Sequence, residues 1–225
     1  MKKHTGKIII LAIVVVLGGA FWYAGQASEK ANQGITITAN VKGNPDAAVE
    51  LVKYSDFECP ACAVASPVVD TLLESYGDEI RFEYRHFPLI SIHALAIPAA
   101  RAAEAAGQQG AFFPMHDLLF ENQRSWSTAP NPTALFIAYA EQLELDVALF
   151  RRHLGASVIE DHIRSQFGEA QALGLTGTPT FLLNGQRMSF QSYEEMVSQV
   201  EAAVRGDSAT TTVPAAAAID LEFGI

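Results

Sequence analysis

The only two cysteines among 225 residues stand three apart, in Cys59-Pro60-Ala61-Cys62, where an apolar β-prone run gives way to a helix-forming one. Leu51-Val52-Lys53-Tyr54-Ser55-Asp56-Phe57 reads as a strand and Pro60 to Tyr76 as a helix, so Cys59 falls at their junction. Proline suits a first helical position, because its missing N–H would have no intrahelical partner and its fixed φ already fits. The helix is therefore expected to start at Pro60 with Cys59 as its cap. Orphan N–H groups and the positive end of the helix macrodipole then face the Cys59 sulfur and favour thiolate, which makes Cys59 the nucleophile. Cys62, one turn on, faces the same side and serves as the resolving thiol that closes or reopens a ring with Cys59.

Three other uses of the pair compete with redox chemistry. A structural zinc site takes four ligands, usually from two Cys/His pairs, but there is no second CxxC and the six histidines are scattered, so no metal is expected. A disulfide serving stability alone would close a loop too short to remove much unfolded-state entropy. Two inert buried thiols would suit a reducing compartment, and the N-terminus argues against one.

Lys2, Lys3 and Lys7 precede an uncharged run from Ile8 to Ala24 that ends in the aromatic trio Phe21-Trp22-Tyr23. About seventeen residues fall at the lower end of what spans a bilayer, and the trio suits a membrane interface. Residues 1–27 are thus expected to form a membrane anchor. The alternative is a signal segment cleaved after Ala27, with Gly25 and Ala27 at the small-residue positions. Positive charges stay inside, so the chain from about residue 28 is expected on the extracytoplasmic side, or secreted after cleavage, where disulfides persist. The formal net charge of −10 excludes nucleic acid as a partner and by itself keeps a domain soluble.

Residues 28–46 read as a linker with one short strand at Ile35 to Ala39. From Ile80 to His86, apolar residues alternate with Arg81, Glu83 and Arg85, a strand with one face buried. The next stretch of about ninety residues lacks strand signal and reads as helices. Pro98 starts or kinks the first, Pro132 opens another, Asp146 caps a short one, and Ser157 with Glu160 forms a capping box ahead of the Ile159, Ile163, Phe167 stripe that Gly174 ends. Asn184-Gly185 is a two-residue hairpin turn after Phe181-Leu182-Leu183, and Ser192 with Glu195 caps the closing helix. Residues 206–225, rich in Ala, Thr and Pro, are expected to be a disordered tail.

Three separated blocks together resemble the DsbA-like thiol-disulfide oxidoreductases of the thioredoxin superfamily. They are Tyr54 to Cys62, His116-Asp117-Leu118-Leu119-Phe120-Glu121-Asn122-Gln123, and Gly177-Thr178-Pro179-Thr180-Phe181-Leu182-Leu183-Asn184-Gly185. The resemblance covers residues 47–205 and implies an α/β thioredoxin fold with a helical insertion at about 91–174, here behind an N-terminal transmembrane anchor, and no cofactor. It implies that Pro179 is cis and lies against the CxxC, so that Thr178 and Pro179 bind an incoming peptide through Thr178 backbone hydrogen bonds. Pro67 matches the kink proline of the first helix. Two departures affect tuning. Many members place a carboxylate where this chain has Lys53, whose charge would favour thiolate while Glu58 opposes it. Ala61 stands where strong oxidants carry histidine, so a weaker oxidant is expected.

In the implied mechanism a substrate thiolate attacks Cys59 of the oxidised pair, giving a mixed disulfide docked on Thr178 and Pro179, and a second substrate thiol displaces Cys59. The expected substrates are exported thiol-containing proteins, and the expected redox partner is a membrane protein, quinone-linked if it reoxidises the pair. Dithiol oxidase is the leading reading. A disulfide isomerase or reductase of the same fold remains open, as does a non-enzymatic binding module. His86 and His93 receive no role.

Overall fold

The computed structural model describes residues 2–207; the side chains of residues 2–12 and of Ala24 lie outside the described residues. Part of the expected anchor therefore falls outside them, and among those described no helix is long and apolar enough to cross a membrane. The expected tail is likewise outside them from residue 208.

In chain order the elements are α1 (Lys2–Asn32), β1 (Asn40–Gly43), β2 (Val49–Ser55), α2 (Pro60–Tyr76), β3 (Ile80–His86), α3 (Ala96–Gly107), α4 (Phe112–Glu121), α5 (Gln123–Ser127), α6 (Pro132–Gln142), α7 (Val147–Leu154), α8 (Ser157–Ala172), β4 (Thr180–Leu183), β5 (Gln186–Arg187) and α9 (Tyr193–Val204). The strands form one sheet ordered β1-β3-β2-β4-β5, parallel at β2/β3 and antiparallel elsewhere. The six helices α3 to α8 lie between β3 and β4, which is the insertion the resemblance implies.

Period-2 patterning sets the two faces. Leu51, Phe82 and Tyr84 pack with Val69 and Leu72 of α2, Met115 and Leu119 of α4, and Met196 and Val200 of α9 in the main core. On the other face Val52, Tyr54 and Leu182 form a smaller cluster with Ala170 and Phe167 of α8. The alanines of α3 are all buried, and their small size lets α3 lie against α4, α7 and α8. The Asn184-Gly185 turn takes positive φ at both residues, 50° and 77°, as the tight hairpin requires.

Several local expectations change. The first strand lies at Asn40–Gly43 rather than 35–39, because Asn40 to Gly43 find an antiparallel edge on β3 while Ile35 and Ile37 pack as coil on the core. Glu83 is not solvent-facing but 4% exposed, because Arg81 and Arg85 both bind its carboxylate at 2.6 Å. The Ser157–Glu160 capping box does not form. Asn32 occupies that place: its Oδ1 accepts from Val158 N at 3.3 Å and its Nδ2 donates to Ser157 Oγ at 3.0 Å, while Glu160 binds Arg101 and Arg164. Ser192 does cap α9, accepting from Glu195 N, and Glu195 reaches back to Gln191 N.

Candidate active site

Pro60 opens α2, and Cys59 caps it in extended geometry, φ −75° and ψ 119°. No side-chain oxygen caps this helix, so the N–H groups of Ala61 and Cys62 turn to the Cys59 sulfur. Both thiols are free and buried, Cys59 7% exposed and Cys62 0%. Opposite them the Thr178–Pro179 bond is cis, and the Thr178 carbonyl accepts from the Cys59 thiol at 3.4 Å.

The two thiols are driven apart electrostatically. Cys59 is lowered from the ordinary 9.0 to about 5, chiefly by the hydrogen bond the Cys62 thiol donates to it; burial opposes, and the Thr178 side chain and the two N–H groups add to the lowering. The Thr178 carbonyl holds the protonated thiol. The Thr178 hydroxyl, buried without a hydrogen-bond partner, is the group free to turn to the sulfur once it ionises. Cys62 is pushed up by burial and by donating to Cys59. At neutral pH the pair is thus a thiolate at Cys59 beside a thiol at Cys62.

A strand–helix cysteine pair facing a cis-proline loop is what the resemblance implied. A family model described as Thioredoxin matches residues 36–202. The chain belongs to the thioredoxin family. Its form of that fold is the DsbA-like one. A thioredoxin-like oxidoreductase from Silicibacter pomeroyi DSS-3 superposes with a TM-score of 0.64 at 27% identity, covering 75% of this chain and 92% of that one. Oxidised BdbD from Bacillus subtilis gives 0.65 at 22%, covering 75% and 94%. Wolbachia pipientis alpha-DsbA1 gives 0.67 at 19%, covering 77% and 94%. Curated relatives include the Na(+)/H(+) antiporter NhaA 3 of Salinispora tropica, 43% identical over 148 residues, which are 66% of this chain and 22% of that protein. The NhaA of Herminiimonas arsenicoxydans is 35% identical over 175 residues, 78% of this chain and 27% of that protein. The chain thus spans about a quarter or less of the length of the curated relatives it matches.

Around this thioredoxin-family centre, Lys53 is brought to the pair and Glu58 is not. Lys53 points from β2 under α2, 1% exposed, and donates to the Cys62 carbonyl at 3.3 Å. Burial lowers it from 10.5 to about 8, against the pull of Cys62, Asp70 and Cys59. Glu58 instead accepts from Leu95 N at 2.6 Å. Asp56 accepts from Glu58 N and Leu89 N at 2.8 Å and meets His93 Nδ1 at 2.7 Å. Together these carboxylates tie the β3–α3 loop to the cysteine turn, and His93 belongs to that tie. His86 is bonded to Glu104 at 2.8 Å.

Sequence reasoning missed Gln123. Its Nε2 donates to the carbonyls of Phe57 at 2.7 Å and Cys59 at 3.0 Å, so the insertion clamps the turn that holds the nucleophile. The only signal was its place at the end of the second resembling block. Among the described residues no group of three or more His, Cys, Asp or Glu could hold a metal ion.

Proposed function

We propose that this protein is a dithiol oxidase, a thiol-disulfide oxidoreductase that oxidises exported proteins through Cys59 and Cys62. The observation that carries the reading is the place of the Cys59 sulfur at the head of α2, where the Cys62 thiol and the N–H groups of Cys62 and Ala61 turn to it and lower it to about 5. A stabilised thiolate stabilises the reduced form, which makes the oxidised form a stronger oxidant. A substrate thiolate attacks Cys59 Sγ and Cys62 leaves as the ring opens. The mixed disulfide rests on Thr178 and Pro179, and a second substrate thiol attacks the substrate sulfur, forming the substrate disulfide and releasing the Cys59 thiolate. Lys53 lies where its charge assists departure of Cys62.

The same proposal places the domain on the extracytoplasmic side, held by residues 1–27 and reoxidised by a membrane partner. The lysines ahead of the Ile8–Ala24 run support it. So does the occurrence of a similar domain within proteins named as antiporters.

The deciding experiment is the Cys59–Cys62 reduction potential in glutathione buffers, with oxidation of a reduced, unfolded substrate protein measured alongside. A value near the roughly −120 to −180 mV of oxidising members, with activity lost in Cys59→Ser, is the expected result. A value near thioredoxin's, about −270 mV, refutes the oxidase direction. Unchanged activity in Cys59→Ser refutes thiol exchange altogether.

A further inference from the structure

Beneath Cys62 the main-core face of the sheet gathers polar groups that the exchange chemistry leaves unused. Lys53 and Tyr84 are register partners on β2 and β3 and so share that face. His116 stands over them from α4, 4% exposed. Its ring is edge-on to Tyr84, centroids 5.2 Å apart, and to Phe120, 4.8 Å apart. Lys53 Nζ lies 5.0 Å from the centre of the same Phe120 ring.

Hydrogen bonding leaves complementary deficits around that ring. The Lys53 ammonium has three N–H bonds and gives one to the Cys62 carbonyl. His116 Nδ1 is 2.7 Å from Asp117 Oδ1. A carboxylate accepts, so Nδ1 carries the hydrogen and Nε2 presents a lone pair. That lone pair is buried with no partner, as is the Tyr84 hydroxyl. Buried polar atoms are almost always paired, so an exception calls for an explanation, a catalytic role or a bound water among them. Burial also lowers the imidazole, which keeps it a neutral acceptor. Asp117 is 40% exposed, so the carboxylate bonded to the buried imidazole reaches solvent. The other titratable groups around His116 are committed: Asp70 of α2 to Lys42 at 2.8 Å, and His86 of β3 to Glu104.

We propose that His116 and Asp117 are the proton exit for Cys62. The inference rests on the exchange reading and concerns the step in which the ring closes. There the Cys62 sulfur attacks Cys59 in a mixed disulfide with a disulfide-bearing redox partner. The Cys59–Cys62 bond forms, the bond to the partner breaks, and the partner's sulfur leaves as thiolate and is protonated from solvent. Lys53 passes a proton through a bridging water to His116 Nε2 and, as the neutral amine, takes the Cys62 proton. The Nδ1 proton leaves by Asp117. Ring opening runs the same path backwards. His116 never touches the reacting sulfurs; it acts through Lys53.

The test uses the full chain with oxidised glutathione, following formation of the Cys59–glutathione adduct and then its loss by ring closure, from pH 6 to pH 9. In His116→Gln closure slows about tenfold at pH 6–7 and recovers by pH 9, where hydroxide removes the proton directly, while adduct formation stays at the wild-type rate. Asp117→Asn, a half-exposed position, shows the same pH-dependent deficit. An unchanged profile, or an equal loss at every pH as packing damage would give, overturns the relay. If His116→Gln does not fold, an unchanged closing rate in Asp117→Asn overturns it. If wild-type Cys59 forms no adduct, the exchange reading itself has failed, independently of the variants.

Discussion

Replacing Lys53 with methionine should make the reduced protein more stable at pH 7, although it removes a hydrogen bond. The amine is buried beside Cys62 and lowered from 10.5 to about 8, so keeping it charged at pH 7 costs the fold about 3 kcal/mol. Methionine keeps the length and lies against Phe120 as a thioether, which aromatic rings accept well. Loss of the 3.3 Å bond to the Cys62 carbonyl removes about 1 kcal/mol. The expected net gain is about 2 kcal/mol, or about 4–8 °C in Tm for a domain of this size. The sign follows from a folded-state value below the unfolded one. The penalty is full below pH 8 and disappears as pH rises toward 10.5, so the advantage of Lys53→Met should shrink to about zero near pH 10. Urea denaturation of both reduced proteins at pH 7 and pH 10 measures this through the midpoint at constant slope. A variant less stable at pH 7, or an advantage equal at both pH values, refutes the argument that burial of charge dominates at Lys53.

The absorbance of thiolate near 240 nm in the reduced protein should titrate with a midpoint at about 5 and disappear in Cys59→Ser; a midpoint near 9 would remove the electrostatic basis of the oxidase reading. Gln123→Ala leaves the buried carbonyls of Phe57 and Cys59 without their donor and should lower stability by about 1–3 kcal/mol in denaturant titration. Burial pushes the Glu104 carboxyl up, but the bonds from His86 and Asn40 bring it below its ordinary 4.5. Its contribution is therefore present above pH 4.5 and lost as pH falls through the lower folded value. Glu104→Gln should cost about 2 kcal/mol at pH 7, with the two denaturation midpoints converging in acid.

Elements written in local chemistry were legible from the chain alone. Pro60 at the head of α2, the Asn184-Gly185 turn, Asp146 ahead of α7 and Gly174 after α8 each act within a turn or two of themselves, so spacing sufficed. What was not legible depends on neighbours remote in sequence. Ser157 and Glu160 satisfy the pattern of a capping box, but Asn32 takes the cap from 125 residues away. Glu83 looks like a surface residue until Arg81 and Arg85 enclose it. Within the site, the cysteine pair and the Thr178–Pro179 loop were found from motif and resemblance. The burial of Lys53, the reach of Gln123 and the inward lone pair of His116 come from the way α4 and α5 fold over β2.

Asn32 also determines where mechanical load would travel. Because α1 ends in three hydrogen bonds between Asn32 and the first turn of α8, and Thr36 N then donates to Gln108 Oε1 after α3, the N-terminal helix is fastened to the insertion before it reaches the sheet. A pull along α1 is borne first by α8, next by the end of α3, and then by the edge strand β1. Only after these give way does tension arrive at β2, which carries the cysteine turn at its far end. The redox centre is thus shielded from strain applied at the N-terminal end of the chain.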